Sequence, residues 1–155
     1  MIREKTLPMT ANMQNYLVEI LELGETHGHA HTGEIAARLN VRMPSVTHAL
    51  KTLNRLGFLI YNPNAPVLLT ESGRELAARL RYFRRTITLF FELILQVSPE
   101  ESSCCACALE HSINIRAVKA LDFLTNEILS RPDYKTLRED LQNSLFLEND
   151  LVKPK

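Results

Sequence analysis

Cys107, Glu110 and His111 carry three of the side-chain types that most often hold transition metals, and they stand three and four residues apart. At that spacing all three share one helix face, with Cys104 a turn earlier on the same side and Cys105 pointing elsewhere. Thiolate, carboxylate and imidazole together suit Fe(II), Zn(II) or Co(II), because thiolate is too soft to favour Mn(II) or Mg(II). The plainer alternative makes the three cysteines small buried apolar residues and lets Glu110 and His111 merely end a helix. His29 and His31, with His27 before them, form a second pairing on one side of an extended link, but no nearby donor completes a coordination shell. Cys107 as a nucleophile with His111 as its base is poor catalytic geometry on one helical turn, and no orienting group, glycine-rich loop or oxyanion device accompanies it. The expectation is therefore no enzyme and no small organic substrate.

The elements that position these groups are mainly helical. Met13, Tyr16, Leu17, Ile20 and Leu21 follow helical spacing after a cap at Thr10, and Gly24 begins the end of that helix. Thr32 is read as the cap of a short helix burying Ile35, Ala36 and Leu39, and Asn40 to Met43 forms a tight connector. A third helix opens with Pro44, buries Val46, Ala49, Leu50 and Leu53, and stops at Gly57. Phe58–Tyr61 and Val67–Leu69 read as two strands of a hairpin, which makes a winged helix-turn-helix. A long helix is expected from Glu71 to Val97. Its second half is apolar nearly all round, and a dimer interface is the economical explanation. Ser98 with Glu101 predicts a capping box opening the cysteine-bearing helix, Ser112 or Asn114 starts the next, which stops before Pro132, and Leu137, Leu141 and Leu145 mark one more.

The third helix carries a second kind of chemistry. An α-helix fits the major groove, and the N-terminal side chains of a recognition helix meet base edges. Here those are Pro44, Ser45, Thr47 and His48, with Arg42, Lys51 and Arg55 supplying phosphate attraction and Arg38 adding another phosphate contact. From Ile35 to Thr70 there are four cations and no anion, which favours double-stranded DNA over a merely solvated helix face. The hairpin tip, Asn62 to Pro66, brings no cation of its own.

Composition sets the outer limits. The 155 residues are 45% apolar and 23% charged, in the range of one ordinary domain or a small one with an appendage, and their formal charge is zero, so this is no polybasic coat protein. The longest apolar run, Ile87 to Val97, falls well short of the roughly 20 residues that a bilayer crossing needs. Met1 to Lys5 lacks a secretory core, and cysteines as crowded as these rarely frame structural disulfides, which together predict a reducing cytoplasm.

Four segments, Thr10 to Leu17, Arg42-Met-Pro-Ser-Val-Thr47, Leu69-Thr-Glu-Ser-Gly73 and Cys107-Ala-Leu-Glu-His111, together resemble the diphtheria toxin repressor family, which includes the manganese transport regulators. The resemblance covers roughly residues 10 to 130 and implies a metal-activated, homodimeric transcriptional repressor binding a palindromic operator. It implies a winged helix-turn-helix over 1–72, a helical metal-binding and dimerisation domain over 73–131, and a C-terminal helix and tail over 132–155, with no room for the small β-barrel of the longer members. Cys107, Glu110 and His111 match the family's primary ligands. Cysteine at 107 resembles the iron-responsive branch, whereas the manganese branch has a carboxylate there, so Fe(II) is favoured, with Zn(II) or Mn(II) as alternatives. Asn15 stands where the first helix usually gives Met or Asp and is a weaker metal ligand through its amide oxygen, and Val18 replaces a further carboxylate of the manganese branch, although Glu19 is adjacent. Arg84 stands in place of the family's histidine, with Thr88 and Ser103 at other ancillary positions, so the second metal site is lost. Two rival readings follow. Either Cys104 replaces a lost ligand and makes a site with Cys107, His111 and one more donor, giving a thiol-rich zinc or iron–sulfur redox sensor, or Arg84 itself fills the metal's charge position and the regulator binds DNA without metal.

Overall fold

The computed structural model describes residues 9–148, with side chains described to Ser144. The expectations for Met1 to Lys5, for the Leu145 side chain and for the tail from 149 lie outside the described residues. The chain divides into two compact units, one up to Arg81 and one from Tyr82.

In the first unit, α1 (Ala11–His27) is capped by Thr10, whose Oγ1 accepts the Met13 N–H at 3.3 Å. It runs past Gly24 and stops at Gly28, which adopts φ +77° and donates its N–H to the Gly24 carbonyl at 3.1 Å. The expected stop was one turn early because glycine only permits a helix end, and the left-handed residue enforces it. For α2 (Thr32–Arg38) the cap is His31 rather than Thr32, since the Glu34 carboxylate accepts the His31 N–H at 2.8 Å. Asn40, at φ +50°, turns the chain into α3 (Met43–Arg55). Leu17, Leu23, Ile35, Val46, Leu50, Leu53 and Leu59 are almost wholly buried where these helices meet the hairpin. Its strands, β1 (Leu59–Ile60) and β2 (Leu68–Leu69), pair antiparallel with Leu59 opposite Leu69. They are shorter than predicted because the Phe58 N–H bonds the Leu53 carbonyl at 3.0 Å and the Tyr61 N–H bonds Asn54 Oδ1 at 3.1 Å, outside the ladder. The Val67 N–H instead bonds the Ala30 carbonyl at 2.8 Å and ties the returning strand to the α1–α2 link.

Helix α4 (Glu71–Leu89) opens with Thr70, whose Oγ1 accepts the Gly73 N–H at 3.2 Å. It gives Leu76, Ala77 and Leu80 to the first unit's core and continues into the second unit. The helix expected as far as Val97 ends sooner, in a single π-helical turn at Phe90–Ile94. There the Leu95 N–H reaches back to the Phe90 carbonyl and the Val97 N–H to that of Phe91, and Gln96 at φ +56° breaks the run. Apolar spacings of three and four do not distinguish this wider turn from an ordinary one. Helices α5 (Pro99–Leu109) and α6 (Ile115–Ser130) both pack on the π turn, and α7 (Tyr134–Glu148) packs on α6. Leu89, Phe90, Phe91 and Leu95 are only half-buried in the single chain and Leu93 is exposed.

Candidate functional site

Local chemistry starts α5 where its donors need it. Ser98 Oγ accepts the Glu101 N–H at 3.3 Å and donates to the Glu101 carboxylate at 2.9 Å, while Pro99 fills the first turn. Ala106 is buried, which turns Cys107 outward, and the helix ends at Leu109. Glu110 is therefore the C-cap and His111 lies in the turn that follows, so the two donors do not ride on the helix as expected. Spacing indicates a shared face but not where the helix stops. The turn folds the donors together all the same: one ligand atom from each of Cys107, Glu110 and His111 lies within 4.8 Å of the others. The Glu110 side chain has no exposed surface, that of His111 is 13% exposed, and His111 Nε2 is 3.3 Å from Glu110 Oε1.

Cys104 and Cys107 are both exposed, so neither is the small buried apolar residue of the plainer alternative. Cys104 stands outside the three-residue grouping. In the first unit, Asn15 is half-buried on α1, Val18 is buried, and Glu19 is held by Arg38 Nε at 2.5 Å. The edge-on pair His29 and His31, with ring centroids 5.0 Å apart, has no third donor grouped with it among the described residues.

Arg84 reaches this cluster from α4. Its Nε donates to Glu110 Oε2 at 2.7 Å and its Nη2 to Oε1 at 2.5 Å, a bidentate pair. Of the two orientations that the sequence leaves open for Arg84, the structure has the one facing Glu110. Asp122 had no signal in the sequence. From α6 it accepts the Tyr82 hydroxyl proton at 3.0 Å across 40 residues, fastening the part of α4 that carries Arg84. Burial, and then this bond, push the Tyr82 phenol above its usual range. The donor set of Cys107, Glu110 and His111 fits a borderline divalent transition metal in type and convergence. The guanidinium has to leave before both Glu110 oxygens are open.

The groove-reading residues lie on one unit and one helix. Arg42, Pro44, Ser45, His48 and Lys51 are exposed at the start and along the outer face of α3, and Thr47 is half-buried. Arg38, expected to meet a phosphate, is paired with Glu19 and also with Glu22, at 3.3 Å.

Residues 8–67 match the iron dependent repressor N-terminal DNA binding domain, and residues 70–136 match the iron dependent repressor metal binding and dimerisation domain. The chain belongs to the iron dependent repressor family. Members of this family are DNA-binding transcriptional regulators rather than enzymes, and the metal-binding and dimerisation half is the one that holds Cys107, Glu110 and His111. An HTH-type transcriptional regulator of Methanocaldococcus jannaschii is 32% identical over 114 residues, 73% of this chain and 91% of that one. The HTH-type transcriptional regulator MntR of Listeria innocua is 29% identical over 131 residues, 84% and 92% of the two chains. The solved manganese regulator SloR is similar at TM-score 0.68 and 31% identity, covering 76% of this chain. The present chain spans about half the length of SloR, 55%. Among the described residues no helix is long and apolar enough to cross a membrane.

Proposed function

We propose that this member of the family is a homodimeric repressor of metal-homeostasis genes that reads a palindromic operator with α3 and answers to a divalent transition metal, Fe(II) before Zn(II) or Mn(II). The observation that carries the reading is the convergence of Cys107, Glu110 and His111 within 4.8 Å, in the half of the chain that belongs to the metal-binding domain. A bound cation would supply a fixed double charge and a cross-link among these three side chains. Cys107 decides the ranking, because a thiolate gives Fe(II) and Zn(II) more than it gives Mn(II). An iron–sulfur cluster needs several thiolates, usually four, and the grouped donors include one. Exposed free thiols at Cys104 and Cys107 accord with a reducing cytoplasm.

On the DNA side, Arg42 and Lys51 are placed for phosphates and Ser45, Thr47 and His48 for base edges. A ligand that prefers one arrangement of a dimer shifts its DNA affinity by the difference in affinity for the two states. The test is retention of genomic DNA fragments by the protein under anaerobic conditions, with Fe(II) and with chelator. Retained fragments should share a palindrome with half-sites about one helical turn apart, and chelator should release them. Retention indifferent to chelator, or no retention, contradicts the reading.

A further inference from the structure

Both oxygens of the Glu110 carboxylate are occupied by one guanidinium, and Oε1 is also the oxygen 3.3 Å from His111 Nε2. The two partners differ in their freedom to move. Glu110 has no exposed side-chain surface, whereas 36% of the Arg84 side chain faces solvent, so the arginine has a way out and the carboxylate does not. Arginine stays charged throughout the physiological pH range, so its hold is not relieved by deprotonation. A divalent ion on Glu110 needs lone pairs that now accept from Arg84, and a fixed positive charge beside the site opposes it further.

We propose that Arg84 is an internal competitor for the metal at Glu110, so that guanidinium and divalent cation hold this carboxylate alternately and Arg84 sets both the concentration and the kind of metal to which the protein responds. This rests on the metal-site reading above. The apparent affinity of an ion that needs Glu110 falls by the fraction of molecules in which that carboxylate is open, whereas an ion held by Cys107 and His111 escapes the factor. The penalty falls on the oxygen donor alone. Ions that depend most on carboxylate, such as Mn(II), lose more than ions that draw their affinity from the Cys107 thiolate and the His111 imidazole, such as Zn(II). In the metal-free protein the same pair keeps a buried carboxylate from standing uncompensated.

The experiment compares Mn(II) and Zn(II) affinities, by competition with a chelator of known affinity, in the intact protein and its Arg84→Gln, Arg84→Lys and Cys107→Ala variants, with metal-free melting curves for each. Arg84→Gln should bind Mn(II) about ten-fold or more tightly, gain less for Zn(II), and melt lower than the intact protein when metal-free. Arg84→Lys, which keeps the charge but loses the bidentate grip, should fall between and serves alone if the glutamine variant does not fold. Mn(II) affinity unchanged or weakened in a folded Arg84 variant overturns the competitor role. If Cys107→Ala weakens Zn(II) binding while the Arg84 variants behave like the intact protein, the metal site stands and only the role of Arg84 falls. If no form binds either ion, both fall together.

Discussion

A Cβ atom on Gly73 would lie 1.8 Å from the carbonyl oxygen of Phe58 and 2.8 Å from its carbonyl carbon. That carbonyl accepts the Thr70 N–H at 3.1 Å, and the neighbouring Gly57 carbonyl accepts the hydroxyls of Thr70 at 2.7 Å and Ser72 at 3.2 Å. The first turn of α4 thus sits directly on the peptide groups that lead from α3 into the wing. This close approach explains Thr70, Ser72 and Gly73 in the Leu-Thr-Glu-Ser-Gly segment.

Gly73→Ala should destabilise the first unit by about 3 kcal/mol or more, because backbone rather than a flexible side chain has to give way. Ser72→Ala removes an exposed hydroxyl shared between the Gly57 carbonyl and Thr70 Oγ1 and should cost about 1 kcal/mol or less. Urea unfolding followed by circular dichroism measures both, and equal midpoints for the two variants would contradict the packing.

Lys51 and His48 should separate affinity from specificity. Lys51→Ala should weaken binding to all duplexes alike and reduce the slope of log affinity against log salt by about 0.9. His48→Ala should leave that slope nearly unchanged and relax discrimination at one base pair by about 1 kcal/mol or more. Salt titrations on matched and mismatched duplexes give both quantities, and identical behaviour of the two variants would remove α3 from the groove.

Phe123 on α6 is 63% exposed in the single chain, with Ile115 and Leu124 also exposed on the same helix. An aromatic ring this exposed on a dimerisation domain calls for a partner. Phe123→Asp should keep its helical circular dichroism, sediment as a monomer where the parent is a dimer, and lose affinity for a palindrome but not for a half-site. A variant that stays dimeric would move the interface elsewhere.

What was legible in the sequence was mostly local. The caps at Thr10, Ser98 and Asn114 each join a side chain to an N–H three residues on, a relation readable from spacing alone. The winged helix-turn-helix was readable because helical apolar spacing gives way to two short apolar runs on either side of the turn-rich segment Asn62 to Pro66. The cap at His31 and the π turn at Phe90–Ile94 were not, since neighbouring polar residues compete for a cap and a wider turn keeps the same apolar spacing. At the metal cluster, donor identity was readable, but the end of α5 at Leu109 and the hold of Arg84 on Glu110 depend on packing across 26 residues. The engagement of Arg38 by Glu19 and Glu22 was hidden for the same reason.

The most direct single measurement is the fluorescence anisotropy of a labelled palindromic duplex as Fe(II) is added anaerobically to metal-free protein and to Cys107→Ala. The intact protein should gain at least ten-fold in affinity on adding Fe(II), while Cys107→Ala should keep the metal-free affinity and gain little. Equal Fe(II) responses in the two proteins, or none in the intact one, would contradict a metal centre at Cys107, Glu110 and His111 that controls DNA binding.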